Sequence, residues 1–571
     1  MRQVRLHYAL LFTLPTLWSQ IGVAHEKGES IMPEAQAFLL SAGAKMNGPV
    51  PASERINLTL SFPLRNEVAL NRFIEEINDP KSPHYHQYIT PESFASAYGL
   101  PDVDYQRAVQ WAQTQKLQVL ATPKNHMSLS LSGEARAIES AFNIKFYQYS
   151  LPASNSSTEQ IVYVADRQPT VTLDVPVEHI YGLDNIDRAR AFHKLSSQMA
   201  LTNNAPSGSG PEGNFIPSDM RNAYYGDGPL TGKGQTVAVI SYGSLQNDDI
   251  DIFYTGIKTK KPNVPITKVY INNFDDKSSA AKNNADESLL DVVNVLGMAP
   301  GLKELIFYAS ASKDAQALLD RVASDNKASI ITSSFNAPND FCKTYKEFQA
   351  QGQTFIQASG DDGAYDNYSW DRPLGNPEIT IVGGTHLTTD KPGGVWKSES
   401  GWPKSGGGYY PCSITSACQD PVQKYLIPAY QKNNAVINKN NKASDIYRNA
   451  PDIAMEADDD NVGVEQGKLV LNRGGTSYAA PRFAGLMALA NEAAAQKGGK
   501  RIGFINPHLY TIGASSRAVQ SFHDIVSGTN PAGDRISSPD TPEYSAVKGF
   551  DLVTGWGTPV GASLIEALIN P

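Results

Sequence analysis

Thr236-Val237-Ala238-Val239-Ile240, Ser329-Ile330-Ile331-Thr332, Thr354-Phe355-Ile356-Gln357-Ala358 and Glu378-Ile379-Thr380-Ile381-Val382 are four short apolar runs, with helical spacing between them. Runs of this length without polar alternation fit strands covered on both faces. With helices between them, they predict an α/β fold: a doubly wound, mostly parallel sheet over residues 214–571. Ligands of such sheets bind at the carboxyl ends of the strands, so the residues just after each run are the first candidates for chemistry.

Upstream the pattern differs. Leu58 to Phe62 and Met127 to Leu131 alternate like strands, while Asn66 to Ile77 and Glu134 to Phe142 have helical apolar spacing. Strands and helices in blocks predict a small α+β domain over residues 50–185. Residues 186–213 read as a linker, because Asn203-Asn204-Ala205-Pro206-Ser207-Gly208-Ser209-Gly210-Pro211 is polar and without period. Such a stretch is accessible to proteolysis, so it either joins two domains or is where a pro-segment is removed.

The N-terminus reads as an export signal over residues 1–24. Arg2 and Arg5 precede an apolar stretch from Tyr8 to Trp18, and Gly22-Val23-Ala24 supplies small residues for cleavage. Residues 25–49 form an extension before the first domain. The apolar stretch is too short to span a bilayer, and no later run is long enough, so a secreted protein is expected, or a periplasmic one in a cell with an outer membrane.

The 571 residues are 41% apolar and 19% charged, enough to bury sizeable cores. The net charge of −9 is spread without a basic run, which excludes an electrostatic footprint for nucleic acid. Three cysteines exclude a disulfide-built scaffold and a Cys-rich zinc module. Export permits one disulfide. Cys412 and Cys418 are near in sequence and Cys342 would be odd, but all three pairings stay open.

Gly474-Gly475-Thr476-Ser477-Tyr478-Ala479-Ala480-Pro481 opens a helix running through Phe483, Leu486, Met487 and Leu489. A serine at a helix start has its own N–H free and the positive end of the helix dipole beside it, which suits a nucleophile whose attack creates an oxyanion. Such a serine needs a base. The Gly-Gly-Thr-Ser-x-x-x-Pro segment resembles the nucleophile segment of subtilisin-like peptidases, whose pattern supplies a histidine base with an Asp-Thr/Ser-Gly after the first strand and a His-Gly-Thr-His helix start. The first strand instead ends in Ser241-Tyr242-Gly243, and neither His386, His508 nor His523 has that context.

Acids stand in place of the histidine. On a helix through Ala285 to Gly297, Leu289, Val292, Val293 and Leu296 form one stripe, with Glu287 and Asp291 about 40° apart on the other side. An i,i+4 acid pair is ordinarily a solvated face. Lining a cleft, the two carboxylates would share a proton, Glu287 taking the serine proton and Asp291 supporting it. Asp286 adds a third acid next door. Ala358-Ser359-Gly360-Asp361-Asp362-Gly363 follows a strand directly, and a protonated Asp361 there could donate to the oxyanion.

Together these residues resemble the sedolisin (serine-carboxyl peptidase) family, whose catalytic domain is subtilisin-like. The unit at 50–185 resembles that family's pro-kumamolisin activation domain. Its most recognisable segment is Asp79-Pro80-Lys81-Ser82-Pro83-His84-Tyr85-His86-Gln87-Tyr88-Ile89-Thr90-Pro91-Glu92. Further matches are Ala450-Pro451-Asp452-Ile453 and Gly503-Phe504-Ile505-Asn506-Pro507 with Leu509-Tyr510. The resemblance implies Ser477 as nucleophile, Glu287 as general base, Asp291 as its partner and Asp361 as the oxyanion acid. It also implies one structural calcium ion, held by side chains of Asp524 and Asp551 and carbonyls of Ile525, Val547 and Gly549. Asp362 stands where the family usually has Ser, Phe550 replaces a usual Trp, and Val547 replaces a common Gly. The expectation is an exported acid endopeptidase, monomeric, acting on protein or peptide substrates and inhibited by its own prodomain. The rivals are a subtilisin-like peptidase and a binding protein on an inactive peptidase scaffold.

Overall fold

The four runs pair side by side in one sheet. The computed structural model describes residues 33–152, 160–186, 190–191, 194–195, 207–336, 341–365, 374–409, 426–433, 435–532 and 543–570. The export segment, Cys412 and Cys418 lie outside the described residues. In the second unit the strands are β1 (Thr236–Ser241), β2 (Ile266–Tyr270), β3 (Glu304–Ala309), β4 (Ile330–Ser333), β5 (Thr354–Ala358), β6 (Thr380–Thr389), β7 (Trp396–Gly401) and β8 (Ile453–Glu456). Their order is β2-β3-β1-β4-β5-β6-β7, with β8 also beside β6. Every pairing is parallel except β6 with β7.

Strands β2, β3, β7 and β8 add to the four read from the sequence. Leu305-Ile306-Phe307-Tyr308-Ala309 in β3 is as apolar as the four and is fully buried. Ile266–Tyr270 carries a lysine and packs only half-buried at the sheet edge, so its signal is weaker.

Two helices sit against this sheet and against each other: α1 (Ala285–Met298) and α2 (Thr476–Gln496). The stripe expected on α1 is an incomplete description, because every residue from Glu287 to Leu296 is buried. The helix is enclosed by the sheet, by α2, by the helix Pro217–Tyr224 and by the strand Asn461–Glu465. The approach is close at Gly485, where a Cβ would lie 2.6 Å from the Cβ of Met298.

The first unit is α+β. A four-stranded antiparallel sheet is ordered Gln118–Ala121, Ser128–Glu134, Arg55–Ser61, His179–Tyr181, and a second antiparallel sheet joins Lys45–Pro49, Phe146–Leu151 and Gln160–Ala165. Leu58, Leu60, Leu129 and Leu131 point into this unit's own core with Ile138 and Phe142 from the helix Ala135–Phe142. Alternation of this kind ordinarily leaves the polar face in water. Here Thr59, Ser61, Ser128, Ser130 and Ser132 are buried as well. The polar face is docked on the second unit: Lys343 Nζ donates to Ser61 Oγ (3.0 Å) and to the Phe62 carbonyl (2.9 Å), and Ser128 faces Asp320.

The segments Ala450 to Ile453 and Gly503 to Tyr510, far apart in sequence, meet at one buried carboxylate. Asp452 accepts from Arg448 Nη2 (2.7 Å), Tyr510 Oη (2.7 Å) and the Ile381 N–H (2.8 Å). Both charged side chains of the pair are fully buried. Removing one partner strands the other without solvent. Asp452→Ala is therefore expected to lower stability by about 3–5 kcal/mol, read as a shifted urea midpoint with unchanged slope.

Candidate active site

The loops at the carboxyl ends of β4 and β5 and the first turn of α2 converge. Gly475 precedes the helix at φ 149°, a conformation open to glycine, and Thr476 and Ser477 begin the helix. Thr476 fixes Asp361: its backbone N–H and its Oγ1 donate to Asp361 Oδ1 at 2.8 and 2.9 Å, and Oγ1 accepts from the Gly360 N–H at 3.0 Å. A carboxyl group is thus pinned at the N-terminus of α2, where the dipole and the open N–H groups favour negative charge.

Pro481 lies one turn into α2 and carries no N–H, so the Ser477 carbonyl has no partner from residue 481. Ser334, the residue after β4, reaches into that space. Its Oγ donates to Asp291 Oδ1 at 2.5 Å and lies 3.4 Å from the Ser477 carbonyl oxygen. One hydroxyl therefore ties the acid helix α1 to the serine helix α2. Glu287 is one turn earlier on α1, and its charge helps burial raise the Tyr478 phenol, next in sequence to Ser477. Glu287, Asp291, Asp361 and Ser477 are all buried, and Ser477 Oγ makes no hydrogen bond among the described residues.

The three histidines of the second unit are engaged elsewhere. His386 Nδ1 pairs with Asp458 Oδ2 (2.7 Å), a bond that raises its pKa. His523 stacks on Trp396, and His508 faces Tyr85 of the first unit.

Two short pieces of the linker pair with chain next to these residues. Arg190–Ala191 pairs antiparallel with Phe335–Asn336, directly after Ser334. Lys194–Leu195 pairs antiparallel with Arg473–Gly474, three residues before Ser477.

The residues expected to hold calcium also come together. Asp551 accepts from the N–H groups of Val547 (3.0 Å), Val553 (2.9 Å) and Thr554 (2.8 Å), and burial pushes its carboxyl up to about 7. Asp524 accepts from the Gly549 N–H at 3.0 Å, so both carboxylates grip the same loop. Gly549 has φ 82°. Two carboxylates and the carbonyls of irregular loops are a hard-oxygen donor set of the kind calcium takes. Phe550 fills the place of the usual Trp by packing on Tyr510 and Trp556 (ring centroids 5.7 and 5.5 Å).

Residues 42–186 match the family described as Pro-kumamolisin, activation domain, and residues 275–507 match the Subtilase family. The chain is 26% identical over 549 residues to kumamolisin of Bacillus sp. (strain MN-32), covering 91% of this chain and 93% of that one. It is 25% identical over 574 residues to sedolisin of Pseudomonas sp. (strain 101), covering 92% and 90%. The chain is similar over nearly its whole length to peptidases of the sedolisin kind. It is a serine-type peptidase with an N-terminal activation domain. Tripeptidyl-peptidase 1 of Mus musculus is also similar, at 23% identity over 94% of this chain and 95% of that one. In fold, a solved Pseudomonas sedolisin complexed with two molecules of pseudo-iodotyrostatin aligns with TM-score 0.51 and 23% identity, over 64% of this chain and 99% of that chain.

Against the other sedolisin-family features, Ser334 is the residue that sequence reading passed over. Its position just after a strand run was the available signal, yet a serine there is commonplace. Without its hydroxyl, Asp291 loses a 2.5 Å donor. Ser334→Ala is expected to lower kcat about tenfold or more, with KM within a factor of about two. Ser334→Thr should retain most of the activity, and steady-state kinetics on one peptide would show both.

Proposed function

We propose that this chain is an exported, acid-acting serine-carboxyl endopeptidase made as a self-processing precursor. The carrying observation is the linker's two pairings. Chain lies beside Phe335–Asn336, next to Ser334, and again beside Arg473–Gly474, three residues before Ser477, which in this reading leaves room for chain on both sides of Ser477. A groove that admits chain on both sides accepts the interior of a polypeptide, which favours endopeptidase action over removal of short N-terminal pieces.

In this reading Ser477 Oγ attacks the peptide carbonyl and Glu287 takes its proton, then delivers it to the leaving amine. Asp291, held by Ser334, supports Glu287. The oxyanion forms beside the Ser477 N–H and Asp361. Asp361 must carry a proton on its other oxygen, Oδ2, to donate there. Because the helix N-terminus favours its carboxylate form, the protonated form and the activity belong to acid and fall as pH rises. Water then releases the acyl group from Ser477. The activation domain and linker cover the buried site until maturation.

Calcium at Asp524 and Asp551 would offset buried negative charge and tie the loops at 524–525 and 547–551 together. No helix among the described residues is long and apolar enough to cross a membrane.

Acidified wild-type precursor should yield new N-termini between Ala191 and Lys194 by mass spectrometry, while Ser477→Ala stays full length. Glu287→Gln and Asp361→Asn should each lower kcat about 100-fold or more with the fold intact. An N-acetylated peptide should be cut internally; release of N-terminal pieces from unblocked peptides alone would overturn the endopeptidase assignment. Chelation should lower the melting temperature by several degrees, restored by added calcium; an unchanged melting temperature would remove the calcium assignment.

A further inference from the structure

The segment Asp79 to Glu92 takes no part in the chemistry above, yet it seats the activation domain on the catalytic domain. The Tyr88 hydroxyl donates to the carbonyls of Arg501 (3.2 Å) and Ile502 (3.0 Å), and the Ile89 N–H donates across the seam to Ala350 at 3.0 Å. The Tyr88 ring fills a slot that two glycines leave open: a Cβ on Gly352 or Gly503 would lie 2.4 or 2.2 Å from it. Tyr85 Oη is 3.2 Å from Nε2 of His508, which stands on the catalytic domain and is buried.

His86 lies between these two tyrosines. Its ring stacks on Tyr85 (centroids 3.7 Å) and Tyr88 (5.6 Å), and is 6.1 Å from the ring of His508. Its backbone is held in the left-handed region at φ 56°, uncommon for a non-glycine residue. Its Nε2 is buried without a hydrogen-bond partner. The charged groups bearing on the pair are cations: Lys500 on His86, Arg517 on His508, and Arg501 over the Tyr88 ring at 5.7 Å. The remaining titratable neighbours are Tyr85 and Tyr88, both raised by burial.

A proton on either imidazole in the closed precursor would be a buried charge among cations. Burial accordingly pushes both rings down to about 4. Once the domains part, the rings meet water and regain ordinary basicity near 6.5. Opening therefore takes up protons, and the closed state loses stability as pH falls from about 6.5 toward 4. The other buried groups at this seam have the opposite sign. Glu347 accepts from Asn125 Nδ2 at 2.8 Å and Asp320 faces Ser128, and burial raises both carboxyls. Their protonation in acid favours the closed state. The ion pairs Lys346–Glu67 (2.8 Å) and Lys343–Glu178 have half-exposed glutamates and contribute little. Among these seam groups, the histidines have the sign and burial that acid release requires.

We propose that His86 and His508 form the acid-sensitive latch that releases the activation domain from the catalytic domain. The test uses the full chain carrying Ser477→Ala, so that no cleavage intervenes and no activity is read. Hydrogen exchange at the Ile89 amide, corrected for intrinsic exchange, reports opening of the seam. Against the opposing carboxyls, the two imidazoles contribute two linked protons, which steepen the rise of the opening constant by up to about a hundredfold per pH unit between about 6 and 4 relative to a chain without them. Adding His86→Phe and His508→Gln should remove most of that slope and shift the midpoint at least about one pH unit toward acid. An unchanged slope and midpoint would overturn the latch. Should the double variant not fold, His86→Phe alone keeps an aromatic ring in the stack and should remove about one proton from the slope; no change would again overturn it. So would Glu67→Gln with Glu178→Gln if that pair abolished the whole pH dependence.

Discussion

The close contact of α1 with α2 is the constraint from which the catalytic arrangement follows. Gly485 lets the helices approach until a methyl group would lie 2.6 Å from Met298 Cβ. At that separation, side chains on α1 reach the first turn of α2, and the hydroxyl of Ser334 spans Asp291 and the Ser477 carbonyl. Arg482 locks the same pair of helices further along, donating from Nε to Asn294 Oδ1 at 3.0 Å and pairing with Glu456. An amphipathic helix with its acids in water would have been easier to stabilise. Enclosing α1 removes that water and leaves Glu287 and Asp291 buried, where the charged form of a carboxyl is disfavoured unless it is paired.

The same logic extends to the seam between the two domains. The activation domain buries its serine face, not its leucine face, against the catalytic domain. Polar docking of this kind holds while the domains are together, yet leaves no exposed apolar sheet after they part. Carboxyls and imidazoles buried there respond to acid in opposite directions, so the response of the precursor depends on which are uncovered by opening. Two short antiparallel pairings hold linker residues beside Phe335–Asn336 and beside Arg473–Gly474, close in sequence to Ser334 and Ser477.

Much of the fold was legible. Four apolar runs announced a parallel sheet because burial on both faces leaves no room for polar alternation. β3 carried the same signal. β2 and β7 are harder to read, since an edge strand tolerates Lys268 and Glu399 in its sequence. At the candidate site Ser477, Glu287, Asp291 and Asp361 could be named as a set from the sequence, because the absence of a suitably placed histidine left a serine in need of acids, and the structure finds all four buried. Ser334 and the anchoring hydroxyl of Thr476 were not, since a hydroxyl after a strand or at a helix start has no distinguishing pattern until its partner is known.

The sequence alone determined the periodicities, the helix-opening serine with its glycines, and the lack of a histidine in a base's context. These are local properties, fixed by side-chain type and spacing along one stretch of chain. Tertiary structure decided which faces are dry. An i,i+4 acid pair reads identically whether it faces water or another helix, and alternating Leu and Ser reads identically whether the serines meet solvent or a second domain. Burial depends on what packs from elsewhere in the chain, and no local pattern along α1 or along the Leu/Ser strands records it.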